Sequence, residues 1–93
     1  MDLRDALIDW DDPSDPDGNT AHIAEHDLTS SEVESALLDE NTTFDLSDSS
    51  GRPIAFGDSG TGKFIAVVFE VMSLSDPLIV RPITAYEVPE PRE

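Results

Sequence analysis

The hydrophobic positions of this 93-residue chain fall into separate blocks with two kinds of spacing. Ala36 and Leu37 follow Val33 at i+3 and i+4, which is the spacing of one buried helical face. Three later blocks are apolar runs separated by polar or proline-containing turns, and they are typical of strands: residues 52–57, 63–72 and 77–88. This order predicts an α+β domain with a short N-terminal strand, two helices and a three-stranded antiparallel meander.

The N-terminal segment predicts the short strand, a loop and the first helix. Apolar residues predict a strand around residues 7–10, and two prolines and a glycine predict a loop over residues 11–18. A short helix is expected to follow from Asn19 to His26, with Asn19 as its N-cap.

The start of the second helix is specified most fully. Thr29 is the expected N-cap, and Glu32 three residues later completes a capping box. Leu28 and Val33 occupy the two positions of a hydrophobic staple around that cap. These signals predict a helix that begins after Thr29 and ends at about Asp39.

The strand pattern also predicts positions within the sheet. Residues 64–69 are apolar on both faces, which predicts a central strand that is covered on two sides. Pro82 cannot donate to a strand ladder, so it indicates an edge position or a bulge.

Length and composition predict a single domain, residues 1–93, with its core in residues 8–88 and a proline-rich acidic tail in residues 89–93. The absence of cysteine excludes disulfides and thiolate chemistry. No apolar stretch reaches the length of a membrane span, and the N-terminus lacks a basic-then-apolar signal. We therefore expect a cytoplasmic protein without a membrane partner.

Charge is the dominant compositional feature. Twenty-one acidic residues face five basic ones, which gives a formal net charge of −16. Such a field repels phosphate backbones and favours a basic protein partner or a nucleic-acid mimic. The alternative is a solvated surface that serves solubility or high salt, and the thirteen aspartates among the acids fit a salt-adapted protein.

Two motifs resemble ligand loops but lack essential parts. The stretch GDSGTGK, residues 57–63, has the spacing of a phosphate loop, but Phe64 replaces the hydroxyl residue that binds magnesium, and a strand follows instead of a helix. Its glycines are expected to serve a hairpin loop. The stretch DPDG, residues 15–18, resembles part of a calcium loop, but Pro13 and Ala24 would occupy ligand positions. An Asp- and Pro-rich turn explains it more simply.

The stretch HIAEH, residues 22–26, matches H-x-x-E-H, in which two histidines hold zinc and a glutamate activates water. A catalytic zinc would need a third protein ligand, for which only glutamates without an assigned position, such as Glu70 or Glu87, could serve. Histidines that are hydrogen-bonded at the margin of a core are the commoner case. We therefore predict neither a metal nor a cofactor.

The order of motifs from residue 8 to residue 85 resembles the BrnT-type toxins, which are similar in fold to RelE ribonucleases. That family has a strand ending in Trp-Asp, a short helix closing on a histidine, a capped helix rich in glutamate, and three antiparallel strands. The matching stretches here are IDWD, NTAHIAEHDLTSSEVESAL, GRPIAFG, GKFIAVVFE and IVRPITA. Trp10-Asp11 matches the first element, His26 the histidine, and residues 29–34 the capped helix.

The resemblance implies a type II toxin that cleaves RNA without a metal and is neutralised by a cognate antitoxin. Two departures bear on this function. Glu25 and Asp27 stand where the family usually has a basic residue and a glycine, and YEVPEPRE replaces a basic C-terminal helix. The alternative is therefore a divergent, non-catalytic relative whose acidic surface recognises a basic protein partner.

Metal-independent RNA cleavage needs proton transfer and cations that stabilise the phosphorane. The candidates are His22 and His26 for the proton, and Arg52, Lys63 and Arg81 for the phosphate.

The strand registers decide whether these cations meet. If Gly57 pairs with Gly62 and Val71 with Pro77, Arg52 and Arg81 both lie opposite Val67, about 10 Å apart. Lys63 would share that face about 13 Å along the strand. The alternative is three unrelated cations that pair with neighbouring carboxylates.

Overall fold

The structure is a computed structural model that describes residue 3, residues 5–47 and residues 51–90. It contains two helices and one five-stranded sheet, so the prediction of a mixed α+β fold is confirmed. The elements are β1 (Leu7–Ile8), α1 (Asn19–Ala24), α2 (Ser30–Leu38), β2 (Thr43–Leu46), β3 (Pro53–Asp58), β4 (Phe64–Ser73) and β5 (Ile79–Glu87). Residues 91–93 of the predicted tail lie outside the described residues.

The sheet has five strands in the order β1-β5-β4-β3-β2, so it has two more strands than the predicted three-stranded meander. Strands β2 to β5 are antiparallel neighbours, and β1 pairs with β5 in parallel. The prediction of three meander strands was wrong because it omitted β2. This strand has only four residues, and Phe44 is its only residue that is not exposed, so its hydrophobic signal is weak.

The capping box of α2 forms as predicted. The Thr29 hydroxyl accepts a hydrogen bond from the Glu32 amide at 3.2 Å, and Glu32 Oε1 accepts one from the Thr29 amide at 3.1 Å. Leu28 and Val33 are both buried. The start of α1 differs from the prediction, since Gly18 is its N-cap and Asn19 its first residue. The side chain of Asn19 is engaged elsewhere, as described below.

The two faces of the sheet have different environments. Along β4, Ile65, Val67 and Phe69 are fully buried in the core. That core also contains Ile23 of α1 and residues of α2, so both helices pack on the same face.

The alternate residues of β4 lie on the other face, which we call the open face. Phe64 and Val68 on this face are only partly buried and are not part of the core. Within the described residues, no helix lies on the open face. The central position of β4 is confirmed, but the prediction that it is covered on two sides was wrong.

Pro82 lies beside a bulge, as its missing N–H indicated. It pairs with Phe69, whereas the next pair is Val68 with Thr84, so Ile83 is the extra residue. None of the helices in the described residues is long and apolar enough to cross a membrane.

Candidate functional site

The strand registers place two of the predicted cations on either side of Glu70. In the ladder between β4 and β5, Arg81 pairs with Glu70. On the other side, Ile54 pairs with Val68, so continuing the ladder brings Arg52 level with Glu70. Both registers differ from the predicted ones by three residues. Because three is odd, Arg52 and Arg81 lie on the open face and not on the core face.

The Arg52 guanidinium is paired with a carboxylate. Its Nε donates a hydrogen bond to Glu70 Oε1 at 2.8 Å. Both side chains remain about 40% exposed, at 43% and 39%, so solvent screens this pair. A phosphate that approached Arg52 would have to compete with Glu70.

Arg81 is held more extensively. Its Nη2 donates to Asp11 Oδ2 at 2.6 Å and its Nη1 donates to Asp11 Oδ1 at 3.1 Å, which is a bidentate pair. Asp9 Oδ2 lies 3.4 Å from Nη1. The hydrogen bond from Arg81, followed by one from the Asn19 amide, lowers the pKa of Asp11, and the same pair raises the pKa of Arg81. Arg81 is therefore neutralised by two aspartates.

Asn19 is a buried link between the N-terminal segment, α1 and β5. Its Nδ2 donates to the Asp9 carbonyl at 3.0 Å and to the Pro82 carbonyl at 2.8 Å. Its Oδ1 accepts from the Asp11 amide at 2.9 Å, and its own amide donates to Asp11 Oδ2 at 2.9 Å. The aspartate of the Trp-Asp motif thus serves a structural network with Asn19 and Arg81.

Lys63 faces the helices and not the other two cations. Its Nζ donates to the Asp27 carbonyl at 2.9 Å and lies 3.6 Å from Glu32 Oε2. Thr61 also donates to Glu32 Oε2, at 2.5 Å. The hydrogen bond from Thr61 is the largest cause of the lowered pKa of Glu32. Lys63 and Thr61 therefore attach the loop between β3 and β4 to the start of α2.

The glycines of GDSGTGK have structural roles. Gly60 and Gly62 have φ of +82° and +93°, which suits glycine and confirms the hairpin interpretation. A Cβ on Gly57 would lie 2.5 Å from the Ala36 carbonyl oxygen, so glycine here permits close packing of α2 on β3. The motif is thus accounted for as a hairpin.

His22 and His26 are both exposed, and their ring centroids lie 6.0 Å apart. Helix α1 ends at Ala24, so His26 lies in the turn that follows and not in the helix. The His26 ring also lies 6.5 Å from the ring of Tyr86. Among the described residues, no group of three or more histidines and acidic residues is arranged to hold a metal ion.

A cleft of about 320 Å³ between the start of α1 and β5 brings two predicted site residues together. His22 and Arg81 both line it, with Asp17 and Thr84 beside them. His26 is not part of its lining, and neither are Arg52 and Lys63. The cleft therefore brings together only His22 and Arg81, and the five predicted residues do not form one cluster.

The open face carries a row of apolar side chains that the sequence pattern did not single out as a site. Phe56 and Ile54 of β3 pair with Ala66 and Val68 of β4, and all four alternate with core residues. Met72, the extra residue where the register of β4 shifts between Val71 and Ser73, is 53% exposed. The sequence signal for this row is the apolar character of both faces in residues 64–69, which by itself predicts cover by a second layer.

Comparisons with protein-family models, with curated proteins and with solved structures found no match to this chain. The resemblance to BrnT-type toxins therefore stays a prediction.

Proposed function

We propose that the protein is a non-catalytic binding protein whose acidic surface recognises a basic protein partner. The observation that carries this proposal is the state of the cations. Each of the three cations among the described residues, Arg52, Lys63 and Arg81, is paired with at least one carboxylate. The chain has a net charge of −16, so carboxylates remain in large excess.

The electrostatic balance favours a basic protein over RNA as the partner. A phosphate backbone would meet the repulsion of the whole molecule and would have to displace Asp11 or Glu70 from the arginines. A basic protein would be attracted by the same field, and its lysines and arginines would find unpaired carboxylates. Binding of a basic protein would therefore use the carboxylates that the surface has in excess.

Binding to a defined pair of peptides tests this function. We expect a lysine-rich peptide of about 20 residues to bind with an affinity that declines steadily with salt, because screening weakens the attraction over a Debye length of about 10 Å at 0.1 M. A glutamate-rich peptide of the same length is the control and should not bind. Isothermal titration at several salt concentrations measures both, and equal binding of the two peptides would contradict the proposal.

A second candidate is an RNA-cleaving toxin of the BrnT type, with a RelE-like active site and a cognate antitoxin. The cleft that His22 and Arg81 share favours it, because a histidine could transfer the proton while the arginine contacts the phosphate. Arg81 would have to exchange Asp11 for the phosphate during the reaction. Lys63 and Arg52 would have no part in this version of the site.

Growth arrest on expression and cleavage of a defined single-stranded RNA test the second candidate. Cleavage should rise with moderate salt, which screens the repulsion, and fall at higher salt as phosphate contacts are lost. His22→Gln should abolish it, while His26→Gln, outside the cleft, should not. Harmless expression and intact RNA at every salt concentration would exclude this function.

A further inference from the structure

We infer that the open face of the sheet is the surface on which the basic partner docks, and that the docking element is an amphipathic segment with an apolar side fringed by lysine or arginine. This inference rests on the proposed function, and it specifies where the partner binds and which kind of segment the partner contributes. It is carried by the combination of uncovered apolar residues and carboxylates on one face.

The apolar part of the open face is continuous across three strands. Phe56, Ala66 and Tyr86 are successive partners across β3, β4 and β5, and Ile54, Val68 and Thr84 form the next row. Tyr86 is 38% exposed and Ile54, Phe56 and Val68 are partly exposed, whereas Ala66 is fully buried between them. The row of Arg52, Glu70 and Arg81 bounds this apolar area and separates it from Leu7, which lies beside the start of β5 and is 56% exposed. Contiguous exposed apolar surface on a single chain marks an interaction site more often than scattered apolar residues do.

The charges on the same face specify the occupant. Asp45 pairs with Ile54 and Asp58 with Phe64, so both carboxylates flank the apolar rows, and both are exposed. The two arginines of this face, Arg52 and Arg81, are already paired with Glu70 and Asp11. The part of the face beyond the row of Arg52, Glu70 and Arg81 therefore offers partly exposed apolar contact flanked by two aspartates, which complements a basic amphipathic segment.

Charge also argues against a second copy of the chain as the occupant. A symmetric dimer through this face would place two surfaces of the same sign together, on two bodies that each carry −16. Among the described residues, the cations of this face are Arg52 and Arg81, and both already pair with carboxylates of their own copy, so most of the repulsion between two copies would remain. A basic partner removes this repulsion and uses the same apolar contact.

Three synthetic peptides of about 18 residues test the inference with the intact chain. The first is an amphipathic helix of leucine and lysine, the second has glutamate for lysine, and the third has serine for leucine. We expect the leucine–lysine peptide to bind most tightly and to perturb amide resonances of residues 54–56 and 64–68 in a two-dimensional NMR spectrum. The glutamate peptide should not bind, and the serine–lysine peptide should bind at least tenfold more weakly.

Two matched pairs of variants locate the surface. Asp45→Asn with Asp58→Asn keeps the oxygens that accept hydrogen bonds from Leu46 and Gly60, and should weaken binding about fivefold at low salt. Asp15→Asn with Glu40→Gln removes the same charge from the exposed loop before α1 and the exposed turn after α2, and should change binding less than twofold. Val68→Thr should weaken binding of the leucine–lysine peptide, whereas Leu74→Thr, in the exposed turn after β4, should not.

The failures of the two proposals are distinguishable. Binding of the lysine peptides with equal weakening by both charge pairs, or without resonance changes on the open face, would overturn the inference and leave the proposed function standing. No binding of any lysine-containing peptide would overturn both. Sedimentation that shows a dimer strengthened by salt and abolished by Val68→Thr would assign the face to a second copy and overturn the inference.

Discussion

Phe69 and Phe64 lie on the same strand, yet their surroundings differ. Phe69 is fully buried beneath the helices and contacts Phe44 edge to face at a centroid distance of 6.2 Å. Phe64, on the open face, is only partly buried and is not part of the core. Both residues lie on β4, between the same two neighbouring strands, β3 and β5. Apolar residues on both faces of a strand therefore do not establish that two layers cover it.

Truncating the two phenylalanines should give the largest difference between the faces. Phe69→Ala removes a core side chain and should cost about 3–5 kcal/mol of unfolding free energy. Phe64→Ala loses a half-buried ring and should cost about 1–2 kcal/mol. Urea unfolding monitored by circular dichroism measures both. Equal losses would mean that the open face is covered in solution and would remove the distinction.

A substitution at Asn19 tests whether polar contacts hold α1 against β5 and the N-terminal segment. Asn19→Ala removes the amide that joins the Asp9 and Pro82 carbonyls and should cost about 2–3 kcal/mol, because buried partners are left unsatisfied. The control is Asn41→Ala, since Asn41 is exposed. A thermal midpoint that is equal for the two variants would show that packing alone holds α1 against β5.

Thr29 tests the contribution of the helix start to the covered side. Thr29→Ala removes the acceptor for the Glu32 amide and should cost about 1 kcal/mol. Thr29→Ser keeps the hydroxyl and should retain most of the stability. An unchanged urea midpoint for the alanine variant would mean that the capping bond contributes nothing in solution.

Acid should affect stability through two carboxylates, Asp11 and Glu32, whose pKa is lowered in the folded state. Hydrogen bonds from Arg81 lower the pKa of Asp11, and one from Thr61 lowers that of Glu32. Their contribution to stability is complete above the ordinary pKa values of 3.8 and 4.5 and is lost as the pH falls through the lower folded values.

Glu32→Gln isolates this effect, which we expect to be the smallest of the four. The variant should be less stable than the parent at pH 7, and the difference should shrink as the pH falls below the ordinary pKa of 4.5 and through the lowered pKa of Glu32. Glu40→Gln, at an exposed position, is the control. A difference that is constant from pH 7 to pH 2.5 would contradict the role of the Glu32 carboxylate.

The sequence was sufficient where a local rule determines the structure. The capping box at Thr29 and Glu32, the bulge at Pro82 and the positive φ of Gly60 and Gly62 each follow from the chemistry of one short segment. Strand β2 was missed because four residues with one half-buried side chain, Phe44, give too little periodicity to detect.

The rest depends on contacts between distant segments, which local patterns do not encode. The predicted β3–β4 register was wrong by three residues because the hairpin loop is longer than assumed, with Asp58 and Phe64 as its last pair. In the β4–β5 turn, Ser73 pairs with Ile79, whereas the predicted pair was Val71 with Pro77. These differences in register moved Arg52 and Arg81 to the open face and next to carboxylates. The role of Asn19 also needed the fold, since its partners Asp9 and Pro82 lie far apart in the chain.

The parallel pairing of β1 with β5 has a consequence for the order of events during synthesis. Leu7 donates to the Leu78 carbonyl and Asp9 to that of Val80, so each bond joins residues 71 positions apart. At translation rates of about 5–20 residues per second, the N-terminal strand waits roughly 4–14 s for its partner. During that interval α1 also lacks β5, so Ile8 and Ile23 remain available to chaperones. The ribosome must therefore deliver the chain to about residue 80 before β1 can enter the sheet.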